Sequence, residues 1–498
     1  MPRDSVFTVL SSISVDHQSS VPLHRQVYSG LRHAILTRQL PPATRLPSSR
    51  FLSTNLGISR NTVLNALEQL HAEGYLASRH GAGTFVAEVL PEDLHGHADN
   101  SRDAASHSVR ERLPSRRGAN LLEMAGRMPT PLLGVSRGVA RAFREGIPAI
   151  DLFPHDVWGR LLSRTWRDTS KQTLDYGGWQ PLREAIAAYL GTSRGVSCTE
   201  RQVIVVSGSQ QGINLAGQAL LDPGDPVWIE DPGYPGAYGG LLAAGAQVIP
   251  VPVDREGMDV KTAIATYPSA RMAFVTPSHQ FPMGVTMSLK RRLELLDWAN
   301  QNDAWILEDD YDSEYRYAGY PLATLQAISR ENRVIYLGTF SKVMFPALRL
   351  GYIVVPNDLV EVFQAARKFA IQYPPLLEQA AMAEFINTGQ FVRHIRRMRA
   401  LYAERQHALV RAAEGKLAEK LELEPTEAGM HLLGWLPEGI DDIYASRKAA
   451  AHGVDTSPLS SYTFRNRQPG ALLLGYAGVN EDEIRGGVRR LAGALANF

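Results

Sequence analysis

Between Pro91 and Asn120 the chain reads PEDLHGHADNSRDAASHSVRERLPSRRGAN, mixing Asp, Ser, His, Arg and Pro with no apolar period. Such a stretch contributes nothing to a core and has the signature of a solvated linker, so the chain cannot fold around one hydrophobic centre. It must divide. We place a head at residues 15–88, the linker at 89–120 and a body at 121–498. With 498 residues, 44% hydrophobic and 21% charged, both parts have enough apolar sequence to bury cores of their own.

Charge divides along the same line. From Pro22 to Phe85 there are seven arginines (Arg25, Arg32, Arg38, Arg45, Arg50, Arg60, Arg79) against two acids, Glu68 and Glu73, a net +5. The whole chain carries +1, which leaves −4 for the rest. That balance excludes a uniformly polybasic protein and suits a nucleic-acid-reading head on a larger, different body. The one cysteine, Cys198, forms neither an internal disulfide nor a structural zinc site by itself, which fits a reducing cytoplasm. No run approaches the roughly 18 apolar residues of a membrane span. Met1 to Asp16 lacks the charged start and apolar segment of an export signal. A cytoplasmic protein without membrane contact is expected.

In the head, Leu23, Val27, Leu31 and Ile35 form one stripe and predict an amphipathic helix over 23–36. LPSSRFLSTNLGISRNTVLNALEQLHAEGYL follows. Ser48 or Ser49 caps a short helix, Gly57 ends it, and Ser59 caps a second helix whose Val63, Leu67 and Leu70 face inward. This is a helix-turn-helix pattern. The second helix opens with Arg60, Asn61 and Thr62 behind Ser59, residue types that donate to base edges and phosphates from a helix start in the major groove. Leu76 to Val86 (LASRHGAGTFV) predicts a hairpin with Gly81 and Gly83 near its tip, a wing able to approach the minor groove closely. Helix-turn-helix units that dock only protein share parts of this pattern.

In the body, β-branched runs alternate with helical patterns: 202–206 then 212–221, 246–251, 272–275 then 289–301, 305–307, and 334–337. Alternation of this kind predicts an α/β layer fold with a large, mostly parallel sheet. After Gln390 a long helix is expected, and the chain ends in a smaller α+β unit.

Three segments of the body carry chemistry. In YLGTFSKVMFPALRLGYIVVP, Lys342 follows a strand, with Thr339 and Ser341 before it and Arg349 after it. An amine can form a Schiff base with an aldehyde cofactor, and hydroxyls with a guanidinium suit a phosphate dianion. A solvated surface lysine is the plainer alternative. In WILEDDYDSEY a strand ends in Asp309, Asp310 and Tyr311. A carboxylate facing a pyridine nitrogen would keep it protonated, and the phenol could bond a ring hydroxyl. An acidic strand end or a divalent-metal site remains an alternative, although no histidine or further acid cluster falls at ligand spacing, so no metal is expected. In VIVVSGSQQGINLAGQAL a strand runs through Ser207, Gly208, Ser209 and Gln210 into a helix whose first N–H groups can hold an anion. The loop lacks both the P-loop lysine and the dinucleotide G-x-G-x-x-G.

The head, over PLHRQVYSGLRHAIL, LPSSRFLSTNLGISRNTV, EGYL and HGAGTFV, resembles the winged-helix domain of the GntR family. The body, through DYGGWQPLREAIAAYL, SGSQQG, EDPGYPG, TPSHQFPMGVTMS, EDDYDSEY, GTFSK, RRMRALYAERQ and EAGMHLLGWL in order, resembles fold-type I pyridoxal-phosphate enzymes of the aspartate aminotransferase group. The whole chain looks like a MocR/GabR-type regulator. The head's resemblance implies Arg45, Arg50, Ser59, Arg60, Asn61, Thr62, His80 and Gly81 at double-stranded DNA. The body's implies pyridoxal 5'-phosphate with Lys342 as the aldimine lysine, Asp309 at the pyridine nitrogen, Tyr311 at the ring hydroxyl and Tyr234 stacked on the ring. Gly208, Ser209, Gln210, Thr339, Ser341 and Arg349 would contact the phosphate. Tyr176 would reach across from a partner subunit in a homodimer, and His279 would stand where aminotransferases place an asparagine.

One departure bears on the ligand. Aminotransferases of this fold anchor a substrate carboxylate with an arginine near the end of the small domain, but Leu472 to Asn480 (LLLGYAGVN) contains none. Arg465 and Arg467 lie just upstream, as substitutes or as solvated loop residues. The resemblance thus implies a regulator that senses an amine, an amino acid or pyridoxal phosphate itself by aldimine exchange at Lys342, the exchange repositioning its DNA-reading heads. The alternative is a working aminotransferase with an accessory helix-turn-helix domain. A regulator whose body has lost the cofactor fits less well with Lys342, Asp309 and Arg349 all present.

Overall fold

The computed structural model describes residues 13, 15–79, 83–91, 114–127, 142–168, 178–319, 323–371, 375–465, 469–496 and 498. They fall into two compact units, Met1–Arg112 and Leu113–Phe498. In the first unit, α1 (Leu23–Leu36) covers the span its stripe predicted. Then come α2 (Ser49–Leu56) and α3 (Arg60–Ala72), followed by the antiparallel pair β1 (Leu76–Arg79) and β2 (Gly83–Val86). Ser48 caps α2 by accepting from Phe51 N (3.3 Å), and Gly57 ends that helix in the left-handed conformation. Ser59 caps α3 by accepting from Thr62 N (3.1 Å). Val27, Leu31, Ile35, Leu52, Val63 and Leu70 are buried together. At about 1.5–3 kcal/mol for each fully buried aliphatic side chain, this core outweighs the weak intrinsic stability of helices so short.

The second unit begins earlier than composition suggests. Helix α4 (Arg116–Arg127) starts inside the stretch assigned to the linker, and Ser115 Oγ accepts from Gly118 N (3.1 Å) at its start. A polar first turn hid a helix that buries Met124.

An eight-stranded sheet dominates this unit. Its strands are β3 (Val203–Val206), β4 (Pro226–Asp231), β5 (Gln247–Asp254), β6 (Gly257–Met258), β7 (Met272–Val275), β8 (Trp305–Asp310), β9 (Val334–Thr339) and β10 (Gly351–Val354). The order is β3-β10-β9-β8-β7-β4-β5-β6. β4, β5, β7, β8 and β9 run parallel, while β10 is antiparallel to both neighbours and β6 to β5. Both faces are covered. Along β3, Val203 and Val205 join one apolar cluster and Ile204 and Val206 another, as the two-residue period of a strand requires. Helices α5 (Ser209–Leu220) and α6 (Pro235–Ala244) follow β3 and β4, so the C-terminal ends of β4, β8 and β9 open beside the N-terminus of α5. After α7 (Gln390–Glu414) comes a small antiparallel sheet of β11 (Glu422–Leu423), β12 (His431–Trp435), β13 (Ser457–Pro458) and β14 (Ala471–Gly475), in the order β11-β12-β14-β13. Among the described residues no helix is long and apolar enough to cross a membrane.

Candidate functional site

Strand ends position the reactive groups of the body. Lys342 stands three residues beyond β9, half-buried, and its Nζ donates to the Gly146 carbonyl (3.2 Å). Gly146 has φ +72°, and a Cβ there would lie 2.5 Å from Nζ, so a larger residue would be strained in backbone and would displace the amine. Burial pushes the Lys342 pKa down, opposed by the carboxylates of Glu145, Asp312 and Asp309.

Asp309, at the end of β8, is 4% exposed, and its Oδ1 is buried without a hydrogen-bond partner. Burial first, then the neighbouring Asp310, Asp312 and Glu230, push its carboxyl up to about 8. A buried acceptor left unsatisfied costs about 1–3 kcal/mol, so this oxygen calls for an N–H donor, which a protonated pyridine nitrogen would supply. Tyr311 OH lies 3.0 Å from His279 Nδ1, which is also 3.0 Å from Asp312 Oδ2. The carboxylate can only accept, which places the proton on Nδ1 and leaves the Tyr311 proton to point elsewhere, toward a ring hydroxyl if one is present.

The opposite end of the pocket is cationic. Gly208 precedes α5 with φ +86°, and a Cβ there would lie 3.3 Å from the Arg349 guanidinium. Arg349 Nη2 donates to Ser207 O (3.0 Å). Thr339 Oγ1 accepts from Ser341 N (3.2 Å), and Ser341 Oγ is buried with no partner among the described residues. Gln210 spends its side chain on Gly236 O (2.7 Å), which leaves its backbone N–H, with that of Ser209, for an anion at the helix start. Tyr234 feels both ends, since Asp309 raises and Arg349 lowers its pKa, and burial takes it to about 12. The donor set therefore fits pyridoxal phosphate: an amine that feels the Asp309 carboxylate, a carboxylate oxygen without a partner, a phenol, and a phosphate cradle linked to Asp309 through Tyr234, which feels both Asp309 and Arg349. Tyr176 lies outside the described residues.

Several residues beside these groups were not singled out in the sequence. Glu145 Oε1 accepts from Ser457 Oγ (2.9 Å) and Tyr462 OH (3.0 Å). His431 Nε2 donates to Pro282 O (3.0 Å), and burial pushes its pKa down to about 4. Phe281 stands edge-on to Tyr234, Tyr311 and Tyr462. Asp312 lies in EDDYDSEY, Phe281 in TPSHQFPMGVTMS and His431 in EAGMHLLGWL, whereas Glu145 and Tyr462 lie in no such segment.

In the head, Arg45, Arg50, Ser59, Arg60 and Asn61 are exposed and Thr62 half-exposed. Arg60 Nε donates to Ser49 Oγ (3.2 Å), tying the start of α3 to the start of α2. The Arg45 guanidinium lies 3.3 Å from where a Gly83 Cβ would be, against the wing. His80 and Gly81 lie outside the described residues.

Fold and site together define a two-part protein, a winged helix-turn-helix joined to an aminotransferase-type body. Residues 23–86 match the gntR family of bacterial regulatory proteins and residues 153–491 match aminotransferase class I and II, a family that implies pyridoxal phosphate. The chain belongs to the MocR type of GntR transcriptional regulators, which implies DNA binding. It is 42% identical over 485 residues to the probable rhizopine catabolism regulatory protein MocR of Rhizobium meliloti, covering 97% of this chain and 95% of that one. It is 30% identical over 489 residues to the pyridoxine biosynthesis transcriptional regulator PdxR of Corynebacterium glutamicum, covering 97% and 98%. Among solved structures, the alpha-aminoadipate aminotransferase of Thermus thermophilus, complexed with N-(5'-phosphopyridoxyl)-L-leucine, superposes with TM-score 0.68 at 29% identity, covering 75% of this chain and 96% of that one.

Proposed function

We propose that this protein is a pyridoxal 5'-phosphate-dependent transcriptional regulator that binds double-stranded DNA and senses an amine, an amino acid or pyridoxal phosphate itself through exchange at Lys342. One observation carries the reading. An amine bonded to a backbone carbonyl lies close enough to feel a buried carboxylate that has an oxygen without a partner, on a chain whose other unit is a gntR head. The cofactor, when bound, supplies an aldehyde carbon open to amines and an electron-withdrawing ring. The chain's own residues do the rest. Burial lowers the pKa of the Lys342 amine that would hold the cofactor, Asp309 would hold a proton at the ring nitrogen, and Tyr311, oriented by His279, would meet the ring hydroxyl. Tyr234 covers the ring face. Gly208, Ser209, Gln210, Thr339, Ser341 and Arg349 take the phosphate. Tyr176 of the partner subunit completes the site in a cytoplasmic homodimer. Arg45, Arg50, Ser59, Arg60, Asn61 and Thr62, with His80 and Gly81 of the wing, meet the DNA.

Reconstituted protein is expected to absorb in the visible range and to form a sequence-specific complex with its gene's own upstream region at physiological salt. Lys342→Ala is expected to lose the absorbance, and an unchanged spectrum in that variant refutes the assignment. Sustained turnover of an amino donor with a keto acid, without a specific DNA complex, would favour a working aminotransferase.

A further inference from the structure

Resting on exchange at Lys342, we infer that the effector is a primary amine whose far end carries hydrogen-bond donors, either hydroxyls or a second ammonium, and no carboxylate, with Glu145 as the recognising group. The chain brings Glu145 to the reacting amine directly, since the next residue, Gly146, accepts from Lys342 Nζ at 3.2 Å. Ser457 and Tyr462 both donate to Glu145 Oε1, which fixes the carboxylate and leaves Oε2 with no hydrogen bond from a described residue. A carboxylate oxygen held in place and open on one side accepts hydrogen bonds from a donor and disfavours a second carboxylate beside it.

Among the described residues, the arginines considered as carboxylate anchors stand elsewhere. The segment in which related aminotransferases carry a carboxylate-binding arginine is here β14 and the residues after it. Leu472, Leu473 and Leu474 are 0% exposed, and Leu473 packs with Leu433, Leu459 and Tyr462. Arg349 stands at the phosphate end, bonded to Ser207 O. Arg316 pairs with Glu427 (2.7 Å). Arg465 is exposed, with its guanidinium 3.5 Å from Tyr267 OH, and Arg467 lies outside the described residues. Beside Glu145, Phe281 meets Tyr462 edge-on at 5.2 Å between ring centroids and gives an aliphatic stem an apolar wall. A site built to accept hydrogen bonds discriminates strongly against a ligand that cannot donate them.

The test uses full-length protein reconstituted with pyridoxal phosphate and three amines of one chain length: 4-amino-1-butanol, 1,4-diaminobutane and 4-aminobutyrate. Binding is read from the visible spectrum and by calorimetry. The alcohol, the diamine or both are expected to bind about tenfold or more tightly than 4-aminobutyrate, and which one does so separates hydroxyl from ammonium recognition. Glu145→Gln is expected to keep the visible band of the bound cofactor, weaken the preferred amine about tenfold and improve 4-aminobutyrate. Tyr462→Phe, which removes one donor to Glu145, is expected to reduce the discrimination without abolishing it. Tighter binding of 4-aminobutyrate than of both other amines, or unchanged ratios in Glu145→Gln, overturns the inference while the coloured protein leaves the parent reading standing. A protein that stays colourless brings down both.

Discussion

Arg194 and Asp310 form a buried ion pair, with the guanidinium Nε and Nη2 2.8 and 2.6 Å from Asp310 Oδ2 and side chains 7% and 1% exposed. Tyr336 OH donates to the same oxygen (2.6 Å), and Ser278 Oγ accepts from Arg194 (3.0 Å). The neighbouring Asp309 receives no such partner. Successive side chains of a strand point to opposite faces, so β8 sends one aspartate into a fixed polar network and the other into the cofactor pocket. The pair of acids in EDDYDSEY is thus one structural group and one functional group.

Removing the guanidinium strands the Asp310 carboxylate in the interior. Arg194→Met is expected to destabilise the body by about 3–5 kcal/mol, the usual cost of breaking a buried ion pair from one side. Urea unfolding followed by tryptophan fluorescence reads this directly, because all seven tryptophans (Trp158, Trp166, Trp179, Trp228, Trp298, Trp305, Trp435) lie in the body. A midpoint equal to that of the parent protein would show that the network contributes nothing.

Gly146→Ala places a methyl group at the Lys342 amine in a left-handed backbone. A loss of about 1 kcal/mol in body stability is expected from the backbone alone. The displaced amine should also lower the visible absorbance reached on reconstitution. Gly493→Ala, in a helix where an added Cβ meets nothing within 4 Å, serves as the control and is expected to leave both unchanged or slightly improved.

Arg60 is exposed at the first position of α3, so its loss should leave the head folded. Arg60→Ala is expected to weaken the specific DNA complex by about 1–3 kcal/mol if the side chain reads a base. If it contacts a phosphate, all sequences weaken alike and the salt slope falls by about 1. Gel shifts over a salt series, with a scrambled duplex beside the specific one, separate these outcomes, and unchanged binding removes Arg60 from the interface.

The sequence made the head legible almost residue for residue, because caps and glycine signals are local: Ser48, Gly57 and Ser59 do in the structure what their chemistry predicts. Most of the body's parallel strands were legible as β-branched runs, and helix 289–301 has its expected bounds. Strands β4 and β10 were not singled out, since PVWIED and GYIV are short apolar runs with no period to mark them. The start of α4 was missed because its first turn is polar. In the site, residues at strand ends were legible, whereas Glu145, brought beside Lys342, and Tyr462, which donates to Glu145, lie in no segment singled out and are assembled only by the fold. No spacing rule finds a carboxylate brought in from nearly two hundred residues away, as the bond between Lys342 and Gly146 shows.

The unpaired Asp309 also makes cofactor-free protein sensitive to pH in a definite direction. Its carboxyl is raised to about 8 in the folded state, against about 3.9 for an unfolded aspartate. Between those values the folded chain binds the proton more tightly than the unfolded chain, so this group's contribution is fully present below about pH 4 and is lost as pH rises toward 8. Glu230 and Glu308, both pushed by burial to about 7, act with the same sign. Thermal unfolding of cofactor-free protein from pH 5 to 8 should therefore show a declining midpoint. Asp309→Asn, which cannot ionise, should decline less steeply, with the two curves diverging most near pH 8. A cation opposite Asp309 removes the cause of the shift, so adding pyridoxal phosphate should raise the parent protein's midpoint more at pH 8 than at pH 5, and Asp309→Asn should lose that pH-dependent part of the gain. Parallel slopes for parent and variant would show that the Asp309 oxygen is satisfied in solution, and would count against a ring nitrogen at that position.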